Sequence, residues 1–309
     1  MLSLKDKKIG YALGGGGARG YFHIGVLSVL EEQHIYPDVI AGTSMGAIIG
    51  ALYASGLTAR EIKQMTLELD WKRLITLADI IVPLYGLLQG RRVSSLLKSF
   101  LKAKTFAHLK TDFACVATDL NTGEQVVLND GSLVEAVRAS ISIPAIFTPV
   151  KLKGRYLIDG GLVNSVPVSV CREMGADFVI GVNVIPGPRE KVSIQQAFEK
   201  YHSHQVHSAV ESGKTMEDLF DNEISSLFAK EPKLQDVISQ TLSIVEYRIA
   251  MENLKQADVA ITPFNGNIGF WQFNRAADAI IAGEIAARLA LQRNEIAREI
   301  LNQQRASVS

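Results

Sequence analysis

"PDVIAGTSMGAIIGALYASG", residues 37 to 56, reads as a strand, a turn and a helix in immediate succession. Val39 to Ala41 is a short apolar run of the kind that forms a buried strand, and Gly42 to Gly46 gathers the small residues of a tight turn. Ala47 to Ala54 is apolar and helical, with Gly56 placed to cap its C-terminus. The chain upstream repeats the scheme. "KKIGYAL" (7 to 13) is β-like, four glycines turn it, and Tyr21 to Glu32 sets Phe22, Val26, Val29 and Leu30 on one helical face. Two such units in a row imply a parallel sheet covered by helices.

Further strand candidates are "DFACVATDL" (112 to 120), "EQVVLN" (124 to 129), the hairpin-like "VKLKGRYLID" (150 to 159), "DFVIGVNVI" (177 to 185) and "ADVAITP" (257 to 263). Residues 187 to 235 are more polar than their surroundings and read as a helical excursion from the sheet. Val237 to Lys255 and Ala276 to Gln303 read as long helices, the second with a charged tail. A single domain spanning 1 to 309 is expected.

With 309 residues, 47% of them hydrophobic, the chain can bury a substantial core. Lysine plus arginine (32) balance aspartate plus glutamate (32), so the global basic field that nucleic-acid binders carry is missing, and no nucleic-acid partner is expected. Cys115 and Cys171 each lie in apolar, strand-like stretches and read as buried thiols of a reducing compartment. The N-terminus has no apolar core followed by a small-residue cleavage site, and no apolar run approaches the ~20 residues needed to span a bilayer. The expected location is cytoplasmic, with any membrane contact peripheral at the inner membrane.

"GTSMG" (42 to 46) has the form Gly-x-Ser-x-Gly between an apolar strand and an apolar helix, the setting that presents a serine hydroxyl at the carboxyl edge of a sheet. The alternative is an ordinary glycine-rich turn. A nucleophilic Ser44 needs donors for an oxyanion, and "GGGGARG" (14 to 20) before a helix supplies main-chain N–H groups for an anion. The same loop could hold a phosphate, but no Gly-Lys-Ser/Thr ends it and no acidic residue stands at a ribose position.

None of the six histidines follows a late strand as a hydrolase base should, and His202, His204 and His207 in "HSHQVH" read as a solvated helix face rather than a metal site. Asp159 ends a β-like run in "RYLIDGGLVNSVPV", and Gly160 and Gly161 let its carboxylate sit on the sheet rim, though Asp-Gly after a strand is also a common turn. A carboxylate near pKa ~3.9 is a poor base for a hydroxyl, so this one would have to be desolvated or act only as the proton moves.

These three elements in order, "GGGGARG", "GTSMG" and "DGG", resemble the patatin-like phospholipases, nearest to the bacterial, neuropathy-target-esterase-related branch. "ATDLNTGE" (117 to 124) and "RASISIPAIFTPV" (138 to 150) are similar to the family as well, and the likeness runs from about residue 10 to about residue 290. The resemblance implies an α/β fold, a three-layer sandwich with a central, mainly parallel sheet flanked by helices. It implies a Ser-Asp dyad of Ser44 and Asp159, an oxyanion hole of Gly15, Gly16 and Gly17, and supporting roles for Arg19, Gly20, Gly42, Gly46, Gly160 and Gly161. Arg19 would order the loop or meet a substrate phosphate. The implied activity is hydrolysis of fatty-acyl esters of phospholipids or lysophospholipids, with no cofactor and no metal. A general carboxylesterase, thioesterase or acyltransferase shares the acyl-serine, and a non-catalytic lipid- or phosphate-binding module shares the glycine loop. "LADIIVPLYGLLQGRR" (77 to 92), followed by Lys98, Lys102 and Lys104, reads equally as a lipid-facing lid and as a core-packing loop before an amphipathic helix.

Overall fold

The structure is a computed structural model that describes residues 7–68, 90–185, 187, 234–262 and 268–294. The chain divides into two compact units, residues 1–186 with 245–309, and residues 187–244. Of the second, residue 187 and residues 234–244 are described; the latter open the helix Leu234–Leu254. Most of the expected excursion at 187–235 therefore lies outside the described residues, as do 77–89 of the apolar stretch.

The first unit is built on one sheet of β1 (Ile9–Leu13), β2 (Val39–Thr43), β3 (Asp112–Asp119), β4 (Gln125–Leu128), β5 (Val150–Leu152), β6 (Arg155–Asp159), β7 (Phe178–Val182) and β8 (Val259–Ile261). Their order is β5-β6-β3-β2-β1-β7-β8, with β4 also paired to β3. The pairings β2–β3, β1–β2, β1–β7 and β7–β8 are parallel, whereas β4 and β6 run antiparallel to β3 and β5 antiparallel to β6. A parallel centre with an antiparallel margin is the mixed arrangement that helices on both faces permit.

Alternation along the central strands feeds two separate cores. Tyr11, Leu13, Ile40, Phe113, Cys115 and Ala117 join one apolar cluster, with helices Phe22–Glu32, Met45–Ala54 and Ala276–Arg293. Ala12, Val39, Ala41, Ala114 and Val116 join the other, with helix Val168–Glu173 and with Ala250 and Leu254. Odd and even positions of each strand thus face opposite helical layers, so the mainly parallel sheet lies between helices as the three-layer reading requires.

Helix Phe22–Glu32 departs from the expected single apolar face, because His23, Ile24 and Leu27 are buried along with Phe22, Val26, Val29 and Leu30. Its second face is covered by helix Ala276–Arg293 at near-backbone contact: a Cβ on Gly25 would stand 1.9 Å from the Ile280 carbonyl oxygen, and one on Gly283 would stand 2.1 Å from that of Phe22. Single-sequence periodicity sees one partner surface, and here there are two. The turn expected across Gly42 to Gly46 contracts to Ser44 alone, since β2 continues to Thr43 and the next helix begins at Met45. Both cysteines are free and buried, and burial pushes each thiol well up. Lys102 is engaged with Glu61 at 3.1 Å, and Lys104 donates to the Lys98 carbonyl. Among the described residues no helix is long and apolar enough to cross a membrane.

Candidate active site

Ser44 joins β2 to helix Met45–Ala54 with φ 53° and ψ −121°, a conformation sparsely used by residues that carry a Cβ. Close packing leaves the turn no room to relax. A Cβ on Gly46 would fall 2.1 Å from the Leu13 carbonyl oxygen, and one on Gly42 would fall 2.5 Å from that of Gly46. The Ser44 N–H is tied down by Ser140 Oγ at 3.0 Å, which in turn donates to the Val116 carbonyl at 2.6 Å. The side chain is left 6% exposed, at the C-terminal edge of the parallel strands.

Strand pairing carries the carboxylate to this point. Thr43 is in register with Val116 of β3, and the adjacent Ala117 is in register with Asp159 of β6. Two strand spacings amount to about 10 Å, a gap that two facing side chains close. Asp159 is anchored through its own backbone, whose N–H donates to the Ser142 carbonyl (3.0 Å) and whose carbonyl accepts from Thr118 Oγ1 (2.8 Å). Gly160 lies against β3, where a Cβ would meet the Val116 carbonyl oxygen at 2.3 Å.

Asp159 Oδ1 accepts the Gly161 N–H at 2.8 Å, while Oδ2 is buried and has no hydrogen-bond partner among the described residues. Burial, at 1% exposure, raises the carboxyl to about 6. The Ser44 hydroxyl and the Gly161 N–H draw it back down, so Ser44 reaches the carboxylate without closing a short bond to Oδ2. Long hydrogen bonds between nucleophile and base are common before substrate binds. Asp159 thus has the desolvation that a carboxylate would need in order to act as a base.

The glycine loop lies on the other side of Ser44. A Cβ on Gly15 would be 3.2 Å from Ser44 Cβ, but the Gly15 N–H already donates to the Ser165 carbonyl at 3.0 Å. Gly16 and Gly17 have φ of 155° and 60°, and no described residue accepts a hydrogen bond from either N–H. Gly17 has a second reason to lack a side chain, since a Cβ would meet the Phe270 carbonyl oxygen at 2.7 Å. That carbonyl accepts from Ala18 N at 2.9 Å, and Arg19 Nε donates to the Ile268 carbonyl at 2.9 Å, so Arg19 ties the loop to the segment around Phe270. Gly20 lies under Met45, whose Cγ would be 2.1 Å from an added Cβ.

Three features of the site escape sequence reasoning. His23 is fully buried with Nε2 2.8 Å from the Gly14 carbonyl, and burial lowers it to about 4. A neutral imidazole there donates from Nε2 and fixes the peptide just before Gly15. Ser140 lies inside the quoted "RASISIP" stretch, yet its hold on Ser44 needs the β3 register to be seen. Glu246 is buried beside Gly161 and comes from a helix with no sequence motif. Among the described residues no group of three or more His, Cys, Asp or Glu side chains is arranged to hold a metal ion.

Residues 11–172 match the family described as Patatin-like phospholipase. The chain belongs to the patatin-like phospholipase family. Its relatives include the "Uncharacterized NTE family protein Mb2594" of Mycobacterium bovis, 30% identical over 290 residues that make up 94% of this chain and 47% of that protein. The "Patatin-like phospholipase domain-containing protein 6" of Mus musculus is 36% identical over 188 residues, 59% of this chain and 14% of that protein. This patatin-like chain thus spans about half the length of the mycobacterial relatives it matches. Among solved structures, VipD from Legionella pneumophila aligns over 94% of the chain and 67% of its own, at 14% identity and a TM-score of 0.48.

Proposed function

We infer that this chain is a serine lipid acyl hydrolase that cleaves fatty-acyl esters of phospholipids or lysophospholipids through a Ser44–Asp159 dyad. The observation that carries the reading is the pairing of a strained, fixed Ser44 with a buried carboxyl whose Oδ2 has no hydrogen-bond partner among the described residues. Asp159 Oδ2 takes the hydroxyl proton as Ser44 Oγ bonds to the acyl carbonyl carbon, whose oxygen becomes the oxyanion. The N–H groups of Gly16 and Gly17, uncommitted among the described residues, receive that oxyanion, while Gly15 shapes the loop through Ser165. On collapse the ester C–O bond breaks and Asp159 returns its proton to the departing alcohol. Water then attacks the acyl-serine with Asp159 again taking the proton, and as the acyl C–Oγ bond breaks Asp159 returns that proton to Ser44, releasing the fatty acid.

Membership of a phospholipase family supports the lipid class of substrate. The test is intact-protein mass spectrometry after a fluorophosphonate probe on wild type, Ser44→Ala and Asp159→Asn, with fatty-acid release from a lysophospholipid followed in parallel. Labelling of wild type alone, with free acid as product, is the expected result. Acyl transfer to an added alcohol in place of free acid would redirect the reading to an acyltransferase. Absence of both labelling and turnover would leave a lipid- or phosphate-binding module and refute the dyad.

A further inference from the structure

Glu246, on helix Leu234–Leu254, is 9% exposed and has no place in the chemistry above. Its Oε1 stands 2.7 Å from the point that a Cβ on Gly161 would occupy, and Asp159 Oδ1 stands 3.2 Å from the same point. The two carboxyl groups therefore flank a single glycine, and any side chain at residue 161 would drive them apart. Among the described residues the charged groups facing Glu246 are Asp159, at the end of β6, and Arg19, from the 3-10 segment Gly17–Tyr21 after β1. Burial is the main influence on it and raises the carboxyl to about 8; the Asp159 charge adds to the rise and Arg19 opposes it. Two acids buried this close do not both ionise freely, and the proton they retain belongs to the pair.

We propose that Glu246 is a positioning residue of this site, the second member of a two-carboxyl pair whose retained proton and charge set how readily Asp159 accepts the Ser44 proton. The proposal rests on the reading of Ser44 as nucleophile and Asp159 as base. Below pH ~8 a neutral Glu246 adds no charge beside Asp159, and as it ionises the second negative charge raises the proton affinity of Asp159. In the first step negative charge leaves Asp159 for the oxyanion, so a charge on Glu246 favours that transfer.

The rate at which a fluorophosphonate modifies Ser44 isolates this step, because fluoride departs without needing a proton from Asp159. Measured on the full chain from pH 5 to 9.5, wild type is expected to show one rise near pH 6 and a second near pH 8. Glu246→Gln should keep the first and lose the second, with wild type ahead by about threefold at pH 9. Superposed profiles would overturn the role of Glu246 and leave the dyad intact, whereas a wild type that is never labelled would overturn the dyad itself. If Glu246→Gln does not fold, infrared difference spectra of wild type and Asp159→Asn decide. A protonated-carboxyl band present at pH 7 and lost near pH 8 in wild type, but at lower pH in Asp159→Asn, supports the proposal. No such band at pH 7 overturns it.

Discussion

Replacing Asp159, the base of the proposed dyad, should make the protein more stable while making it inactive. In the folded chain burial raises Asp159 from 3.8 to about 6, so its ionised form is the one that folding disfavours. A carboxyl with a raised folded pKa contributes stability that is complete below 3.8 and is lost as pH rises through about 6. Above that window the fold carries the full penalty: about two pK units at about 1.36 kcal/mol each, or on the order of 3 kcal/mol. Asp159→Asn removes the charge and keeps an oxygen for the Gly161 N–H, while its amide N–H can donate toward Ser44 Oγ. The variant should therefore melt roughly 5–10 °C above wild type at pH 7.5, given a few degrees per kcal/mol for a domain of this size. Thermal unfolding of both proteins from pH 4 to 8 checks this, and the gap should close toward pH 4. His23, which burial holds down near 4, loses stability as pH falls below about 6.5, but it does so in both proteins and cancels from the difference. A variant less stable than wild type at pH 7.5, or a gap that does not change with pH, would refute the claim that desolvation sets the basicity of Asp159.

Strain at the nucleophile gives a second stability contrast: Ser44→Gly should exceed Ser44→Ala by about 1–3 kcal/mol, since glycine accepts φ 53° without penalty, and equal melting temperatures would count against it. Both should abolish fluorophosphonate labelling. Gly46→Ala places a methyl 2.1 Å from a backbone oxygen, so its urea midpoint should fall by the equivalent of about 3 kcal/mol or more. Gly17→Ala should slow Ser44 labelling about a hundredfold or more, because the N–H can no longer be held where φ is 60°; an unchanged rate would remove Gly17 from the oxyanion site.

The strand-turn-helix units were legible because they are local: an apolar run, small residues and a second apolar run within a few turns of chain. The serine could be singled out because its spacing between glycines reflects close packing of one turn. Asp159 was legible only as an aspartate before two glycines, and the reason it meets Ser44 is nonlocal: Thr43 registers with Val116, and Ala117 with Asp159, across three strands. The glycine loop shows the limit most clearly. Gly15, Gly16 and Gly17 are equivalent as letters, yet only the structure reveals that the Gly15 N–H is spent on Ser165 while those of Gly16 and Gly17 have no acceptor among the described residues. Glu246 carried no signal at all, because a glutamate on a helix reads as solvated until the helix is placed against Gly161.

In the proposed mechanism the electrostatics of the site let a carboxylate do the work for which a hydrolase usually employs a histidine. In the first step of that proposed mechanism one negative charge moves from Asp159 to the substrate oxygen, so the barrier depends on the difference between the two environments. At Asp159 burial outweighs the pull of Ser44 and the Gly161 N–H, and the net effect disfavours charge by on the order of 3 kcal/mol. At the glycine loop, N–H groups without competing acceptors favour charge, at about 3 kcal/mol for each donor that engages fully. Both effects push in the same direction. Exposing Asp159 to water would return its carboxyl toward 3.8 and take away the first contribution. The close packing of Gly160 against β3 and of Glu246 against Gly161 therefore bears directly on the basicity of Asp159.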